Sequence, residues 1–206
     1  VGDGVTDDTV AIQAAIDSLP ITGTVRGGVV RIPAGIYYVS DRIEVREYIT
    51  VVGDGGSTSI IKHYANTDCF YATTNVTNSN IGIKGLQIHD QYVGRTQGHG
   101  IYFNTGVNGV SFDIEDVYVL VFHDGIHILN PGYSSIKGWV RVTSPIRDGI
   151  VINGVAGGVN VQLENTHVLA AGRYNYNLES LSFVGLCGCM SDSATSHGYY
   201  LLDCNN

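Results

Sequence analysis

The 206-residue chain lacks long hydrophobic runs and is poor in several residue types. No stretch approaches the roughly 18 consecutive apolar residues of a membrane-spanning helix, so the sequence predicts no transmembrane segment. The chain has one methionine and few segments with helical periodicity, which argues against an all-α protein. Charged residues make up 15% of the chain and hydrophobic residues 44%, as is typical of a globular domain.

Basic residues are scarce relative to acidic ones. Eleven Lys and Arg stand against nineteen Asp and Glu, and the formal net charge is -8 at pH 7. Proteins that bind nucleic acid present a basic stripe to the phosphate backbone. The charge balance therefore argues against nucleic acid as a partner.

Glycine is abundant, with 27 residues, and it recurs before apolar strands at a nearly fixed interval. The first series contains Gly100, Gly125, Gly149 and Gly198. Its steps are about 25, 24 and 49 residues, and the last step predicts one degenerate copy in between. A second, offset series contains Ile83, Ile114, Ile136, Leu163 and Val184. Two strands thus recur about every 24 residues, which predicts a solenoid of β-coils.

The first twenty residues contain the one convincing helical pattern. The apolar stripe consists of Ala11, Ile12, Ala15, Ile16 and Leu19. With Asp7 as the N-cap and Pro20 as the stop, we predict a helix over residues 7–19 that covers the first coil. Residues 1–26 then form an N-terminal cap, and residues 27–206 form the parallel β-helix. No second cap is evident in the sequence, so we expect the β-helix to be incomplete at its C-terminal end.

Three segments near the start of the chain carry a family resemblance. They are Gly2-Asp3-Gly4-Val5-Thr6-Asp7-Asp8-Thr9 with Ala11-Ile12-Gln13-Ala14-Ala15-Ile16, then Val30-Arg31-Ile32-Pro33-Ala34-Gly35-Ile36-Tyr37, and Val52-Gly53-Asp54-Gly55. They resemble the opening of the pectate-lyase-like superfamily, which includes polygalacturonases, exo-β-1,3-glucanases, polysaccharide lyases and phage tailspikes. The resemblance implies an all-β fold, a right-handed single-stranded parallel β-helix with an N-terminal capping α-helix. It also implies a polysaccharide partner and an extracellular or virion-associated location.

Strand alternation assigns the side chains of each coil to faces. Two inward files are expected, Ile101, Ile126, Ile150 and Tyr199, then Phe103, Ile128, Ile152 and Leu201. The outward positions are Tyr102, His127, Val151 and Tyr200. Because the aromatic rings among them offer flat apolar faces and polar atoms to sugars, this wall predicts polysaccharide binding.

Asp124 and Asp148 occupy equivalent positions in adjacent coils, each directly before a glycine. We expect their carboxyl groups about 4.8 Å apart, with His99, His123 and Arg147 as neighbours. Two carboxylates so close should raise one another's pKa, as the general acid of a glycosidase requires. The alternative is ordinary Asp-Gly turn chemistry, in which each aspartate bonds its own backbone.

A second carboxylate pair is formed by Glu115 and Glu164, two coils apart at about 9.6 Å, with Lys137 at the equivalent place between them. This spacing fits either an inverting glycosidase or a surface charge ladder.

Lyase chemistry would use a different set of residues. The resemblance implies an Arg or Lys base, for which Arg147 and Arg173 are the candidates, with Asp124 or Asp148 as ligands if calcium is bound. Gly98-His99-Gly100 also resembles the Gly-His-Gly of polygalacturonases, although the Arg-Ile-Lys of that family does not follow.

The predicted site therefore combines several alternatives. The catalytic candidates are Asp124, Asp148, Glu115, Glu164 and Arg147. The substrate-binding candidates are His99, Tyr102, His123, His127, Arg173 and Tyr200. No cofactor and no metal ligand are predicted, except calcium if the protein is a lyase. Cys69, Cys187, Cys189 and Cys204 are interpreted as small core side chains, with a disulfide as the alternative. Asn75-Val76-Thr77 matches a glycosylation sequon.

Three functions compete at this stage. The first is a tailspike-like β-helix that binds and degrades a polysaccharide, as a hydrolase or a lyase, and assembles as a homotrimer. The second is a secreted monomeric glucanase or pectinolytic enzyme. The third is a non-catalytic adhesin or structural rod.

Overall fold

The computed structural model describes residues 2–20, 27–74, 79–106, 110–154 and 160–204. The Asn75-Val76-Thr77 sequon lies outside these residues. Within them the chain winds as a parallel β-helix whose three sheets enclose one apolar core. The predicted all-β solenoid with one helix near its N-terminus is confirmed.

The elements follow one another in chain order as short strands separated by turns. They are β1 (Asp3–Asp7), α1 (Thr9–Asp17), β2 (Gly28–Ile32), β3 (Gly35–Val39), β4 (Ile43–Glu44), β5 (Ile49–Gly53), β6 (Ser59–His63), β7 (Phe70–Thr74), β8 (Asn80–Lys84), β9 (Gln87–Asp90), β10 (His99–Thr105), β11 (Ser111–Glu115), β12 (Tyr118–Leu120), β13 (Asp124–Leu129), β14 (Tyr133–Lys137), β15 (Val140–Thr143), β16 (Ile150–Asn153), β17 (Asn160–Glu164), β18 (Thr166–Leu169), β19 (Tyr174–Glu179), β20 (Phe183–Cys187), β21 (Met190–Asp192) and β22 (His197–Leu202). Sheet A has the order β1-β3-β6-β9-β12-β15-β18-β21, sheet B has β2-β5-β8-β11-β14-β17-β20, and sheet C has β4-β7-β10-β13-β16-β19-β22.

The register of sheet C brings the glycine repeats into one column. Ile101, Ile126, Ile150, Tyr176 and Tyr199 lie opposite one another along the sheet. Phe103, Ile128, Ile152, Leu178 and Leu201 form the next inward file. The degenerate copy predicted between Gly149 and Gly198 is β19. Leu201, in the last coil, is 53% exposed, because no further coil of the described residues covers it.

Gly125 and Gly149 have no room for a side chain. A Cβ atom at Gly125 would lie 2.2 Å from Val142 Cγ1, and one at Gly149 would lie 2.1 Å from Val168 Cγ1. Both valines belong to sheet A, so the glycines let sheets A and C approach closely at this corner. The periodic glycine of the sequence therefore reflects a packing requirement of the coil.

The helix is shorter than predicted. It covers Thr9–Asp17 and not residues 7–19, because Asp3–Asp7 pairs with β3 as a strand and the Asp8 amide still donates to Tyr38 O at 2.8 Å. Asp7 is therefore not the N-cap, and its Oδ1 accepts from the Thr9 amide at 2.9 Å. Ile12 and Ile16 pack into the core, as the apolar stripe predicts.

The second repeat series is correct except at its last member. Ile83, Ile114, Ile136, Leu163 and Leu186 form one file of sheet B, so Leu186 and not Val184 continues it. The turn after this file requires a positive φ, which Asp116, Asn165 and Gly188 adopt at 53°, 53° and 63°. Gly188, two residues after Leu186, therefore takes the turn position of Asp116 and Asn165 and fixes the register of the last coil.

Candidate functional site on sheet C

Asp124 begins β13, and Asp148 lies two residues before β16, the next strand of sheet C. Each aspartate binds an arginine from the next coil. Arg147 Nε donates to Asp124 Oδ1 at 2.8 Å, and Arg173 Nε donates to Asp148 Oδ1 at 2.8 Å. In both pairs Nη2 of the arginine reaches the second carboxylate oxygen. Both aspartates are fully buried, so each is held as a paired carboxylate.

The predicted mutual rise in the pKa of the two aspartates is wrong for Asp124. Burial alone would raise its pKa, but hydrogen bonds from His127, His99 and Arg147 outweigh burial and hold the pKa far below its ordinary range. Arg147 also lies between the carboxylates, with its Nε 3.8 Å from Asp148 Oδ2. The Asp-Gly turn alternative fails too, because Asp124 Oδ1 accepts from the Asp148 amide of the next coil at 3.1 Å.

His99 lies between two carboxylates. Its Nδ1 is 2.6 Å from Asp68 Oδ1, and its Nε2 is 3.2 Å from Asp124 Oδ2. Burial lowers the pKa of His99, but the hydrogen bonds and charges of Asp124 and Asp68 outweigh burial and raise it. Two acceptors on one ring favour the imidazolium form, which donates to both.

His127 and Tyr102 complete the cluster on the outward face. His127 Nδ1 lies 3.3 Å from Asp124 Oδ2 and 3.2 Å from His99 Nε2. The Tyr102 ring stacks on His99 at 4.9 Å and meets the edge of His127 at 5.5 Å. Burial, followed by the charge of Asp68 and the neighbouring Tyr71, raises the pKa of Tyr102, so the phenol keeps its proton at neutral pH.

Three ligand atoms in this cluster have the proximity that a metal ion requires. The nitrogens of His99 and His127 and the carboxylate oxygen of Asp124 all lie within 4.8 Å of one another. Asp124 is already neutralised by Arg147, and it accepts hydrogen bonds from both rings and from the Asp148 amide. We therefore interpret the group as a hydrogen-bonded acid–base cluster. Calcium at Asp124 or Asp148 stays a prediction, and it would have to displace the arginine from either carboxylate.

Other predicted residues lie at varying distances from the cluster. His123 is adjacent, with Nδ1 3.7 Å from Asp124 Oδ1, and burial lowers its pKa. Arg173 lies one coil beyond, with its guanidinium 4.6 Å from the Tyr174 ring. Tyr200 stacks on Tyr174 at 4.8 Å and lies three coils from His127, about 14 Å along the sheet.

Glu115 and Glu164 are not part of the cluster, because they lie on sheet B. The predicted register is confirmed, since Lys137 occupies the equivalent position between them. Glu115 Oε2 accepts from Lys84 Nζ at 3.0 Å, and Lys84 also binds Asp113. Lys137 Nζ also lies 3.4 Å from Asp113 Oδ1. A surface charge ladder, the alternative that the sequence left open, is therefore present, but Lys137 binds Asp113 in it and Lys84 binds Glu115.

Two site residues were missed in the sequence. Asp68 orients His99, and the Tyr71 ring stacks on Tyr102 at 5.6 Å. Asp68 lies two residues before β7, the equivalent strand one coil earlier, and Tyr71 is the second residue of that strand. Cys69 there takes the place of the periodic glycine. The Asp68-Cys69-Phe70 segment matches the later Asp-Gly-Ile cassettes, and this pattern was the available signal.

The four cysteines are free thiols in the structure, with Cys69 buried and Cys187 exposed. The single helix found among the described residues is too short to cross a membrane.

Comparison with known proteins finds several relatives, each of which is similar in sequence to this chain over part of its own length. The chain is 28% identical to alginate lyase 7 of Azotobacter vinelandii over 199 residues, which cover 88% of this chain and 22% of that enzyme. It is 44% identical to mannuronan C5-epimerase AlgE1 of the same organism over 69 residues, 30% of this chain and 5% of the epimerase. The chain thus spans a small part of the curated relatives that it matches.

Solved structures with the same fold include viral and bacterial proteins. ORF18 of Geobacillus virus E2 superposes with a TM-score of 0.65 and 21% identity, over 99% of this chain and 46% of that one. The A-module of mannuronan C-5 epimerase AlgE6 from Azotobacter vinelandii superposes with a TM-score of 0.57 and 20% identity, over 98% of this chain and 56% of that one. The N-terminal fragment of bacteriophage Phi29 gene product 12 superposes with a TM-score of 0.52 and 17% identity, over 98% of this chain and 42% of that one.

A family model described as rhamnogalacturonase A/epimerase, pectate lyase-like, matches residues 1–200. The chain therefore belongs to the rhamnogalacturonase A/epimerase, pectate lyase-like family.

Proposed function

We propose that the protein acts on a uronate-containing polysaccharide by removing the proton at C5 of a sugar residue, as a lyase or an epimerase does. The observation that carries this proposal is the contact of His127 with the buried Asp124 carboxylate, with the Tyr102 phenol beside the His127 ring. A base and an acid on one wall of the β-helix are the two groups that such chemistry requires.

Hydrolysis by a carboxylate pair has less support. A glycosidase needs one protonated carboxylic acid, whereas the pKa of Asp124 is lowered and Asp148 forms a bidentate pair with Arg173. Both are fully buried, so neither presents a free oxygen to a sugar. The remaining accessible groups of the site are imidazole, phenol and guanidinium, and their chemistry favours proton abstraction.

The roles follow from the contacts. Asp124 holds His127 by Nδ1, which leaves Nε2 to take the C5 proton as the base. In elimination, the C5–H electron pair forms the C4–C5 double bond, the C4–O bond breaks, and the leaving oxygen takes the Tyr102 proton. In epimerisation, the C4–O bond stays intact, and Tyr102 donates its proton to C5 on the face of the ring opposite His127. Arg147, 40% exposed at its side chain, has Nη1 left for the uronate carboxylate.

The relatives support this reaction class. One relative is named an alginate lyase and others are named mannuronan C5-epimerases. The epimerase names give C5 as the position that reacts. We extend this class to the present chain because the sheet C cluster has the acid and base that the first step needs.

The test is to incubate the protein with alginate and with polygalacturonate in deuterated water. If the protein is an epimerase, we expect deuterium at C5 of the product polymer. If it is a lyase, we expect unsaturated uronate absorbance, because the eliminated residue keeps no hydrogen at C5. His127→Gln and Tyr102→Phe should each lower the rate by about 10²-fold to 10⁴-fold, the usual contribution of a general acid or base.

His89→Gln and Tyr38→Phe on sheet A are matched controls and should keep the wild-type rate. New reducing ends without unsaturation or C5 deuterium would indicate hydrolysis and contradict the proposal. Full activity of both cluster variants would contradict the assigned roles.

We also propose that the protein works outside the cell that makes it, in secreted or virion-associated form. The likeness to phage proteins concerns the fold, and a polymeric substrate favours this location. The predicted homotrimer is tested by light scattering, where a monomer mass would contradict it and would favour the secreted monomeric enzyme.

A further inference from the structure

A second surface of the β-helix, at the corner between sheets B and A, has an unusual turn. In the coil before this one, Glu115 at the end of sheet B and Tyr118 at the start of sheet A are three positions apart. In the coil after it, Glu164 and His167 are also three positions apart. Their counterparts Lys137 and Arg141 are four positions apart. This coil therefore carries one extra residue at the corner.

The corner with the extra residue exposes Trp139, the single tryptophan of the chain, to solvent. Gly138, with φ of 76°, makes the turn, and the Trp139 amide donates to Asp116 Oδ1 at 2.7 Å. The backbone is thus fixed while the side chain is 69% exposed. An exposed indole on a fixed turn is a rigid apolar platform.

Trp139 separates two clefts that run along the axis of the β-helix. The first, of about 470 Å³, lies between Trp139 and the Gly55-Gly56-Ser57 loop, and Tyr118 and Arg141 line it. The second, of about 390 Å³, continues on the other side toward Met190. Both volumes are in the range of small-ligand pockets. Together they form an axial groove, which suits an extended chain.

Each cleft contains a basic side chain with an unpartnered nitrogen. Arg141 Nε at the wall of the first cleft and His167 Nε2 at the wall of the second are buried and have no hydrogen-bond partner within the described residues. The Arg141 guanidinium lies over the Tyr118 ring at 5.3 Å. Because an arginine only donates, it calls for an oxygen-rich partner. Asp116, which lines both clefts, provides an acceptor for hydroxyl groups.

We propose that this groove, the Trp139 groove, is a second carbohydrate-binding site that holds a polysaccharide segment away from the sheet C cluster. Trp139 stacks on a sugar ring, while Arg141 and Asp116 bind its oxygens. The choice of a sugar as ligand rests on the proposed function. The groove itself lies on another face and shares no residue with that site.

The single tryptophan makes binding directly measurable. We expect hexasaccharides of alginate, polygalacturonate or cellulose to change Trp139 fluorescence saturably. Hexaglutamate, which carries charge without sugar rings, should have no effect. By calorimetry, Trp139→Ala and Arg141→Gln should each weaken binding of the responding hexasaccharide by about tenfold or more. His127→Gln should keep the fluorescence response.

The outcomes separate this proposal from the proposed function. If His127→Gln loses turnover but keeps the fluorescence response, both proposals are supported. If none of the three hexasaccharides changes the fluorescence, or hexaglutamate matches them, the groove is not a carbohydrate site, whatever the turnover. Trp139 is mostly exposed, so Trp139→Ala should melt at the wild-type temperature. Unchanged affinity in a folded Trp139→Ala variant would also overturn the proposal.

Discussion

Asp124→Asn and Asp148→Asn form a matched pair of substitutions one coil apart. Both aspartates are fully buried, both bind an arginine through two oxygens, and both accept an amide of the next coil at 3.1 Å. Asp124 additionally contacts His99 and His127. The difference between the two variants therefore measures mainly the contribution of the histidines around Asp124, less the weaker contact of Arg147 Nε with Asp148 at 3.8 Å.

The magnitudes follow from these contacts. Breaking a buried ion pair costs about 3 to 5 kcal/mol. Because Arg147 and Arg173 are 40% and 44% exposed, water can solvate the released guanidinium, and we expect about 3 kcal/mol for each variant. Asp124→Asn should lose a further 1.5 to 3 kcal/mol, roughly the value of hydrogen bonds to a charged group.

The additional loss of stability in Asp124→Asn depends on pH, and the pKa shifts of Asp124 and His99 define the direction of that dependence. The lowered pKa of Asp124 gives stability that is present above its ordinary value of 3.8 and is lost as the pH falls through its folded-state pKa. The raised pKa of His99 gives stability that is fully present below 6.5 and is lost as the pH rises through its folded-state pKa. The difference between the variants should therefore be largest between about pH 4 and 6.5.

Urea unfolding, followed by Trp139 fluorescence and by circular dichroism, gives the free energy of unfolding of each variant. It should be measured near pH 5.5 and near pH 9, at constant ionic strength. An equal loss for both variants at both pH values would refute the reasoning, because the contacts of the two histidines would then contribute nothing.

Two further substitutions test the packing of the coils. Gly125→Ala places a Cβ 2.2 Å from Val142 Cγ1 and 2.7 Å from Gly149 O. It should therefore lower the free energy of unfolding by about 1 to 3 kcal/mol. In the double variant, Val142→Ala should restore part of that loss. Tyr176→Phe removes a buried hydroxyl that bonds Thr166 and Met190 O, which should cost about 1 to 3 kcal/mol in thermal or urea unfolding. Tyr199→Phe, whose hydroxyl makes one exposed bond to Cys189 O, is the control and should cost less. An equal effect of the two phenylalanine variants would contradict the assigned burial.

The repeat in the sequence was sufficient to predict the coil and much of the register. A glycine directly before the first inward residue marks β10, β13, β16 and β22, because each coil must bring sheets A and C close at the same point. The signal failed for the coil of Asp68 and Tyr71, where about 31 residues separate Phe70 from Ile101 and a cysteine replaces the glycine. Two residues of the candidate site were missed for that reason.

The chemistry of the site was harder to predict than its location. The spacing correctly predicted that Asp124 and Asp148 are neighbours and that Arg147 lies near them, but not that Arg147 and Arg173 each form a bidentate pair with one of the two carboxylates. That choice depends on side-chain torsions and on burial, which periodicity does not encode. Asp7 failed as an N-cap for a similar reason, because pairing with β3 overrides the local helical preference.

The extra residue at Trp139 shows how this architecture tolerates changes in length. The strands on either side keep their partners, since Ile136 still faces Ile114 and Arg141 still faces Tyr118. An insertion at a corner is thus absorbed within a single turn and leaves the neighbouring coils unmoved. New recognition surfaces can therefore be acquired one amino acid at a time around the circumference, while the proton-transfer machinery on another wall stays undisturbed.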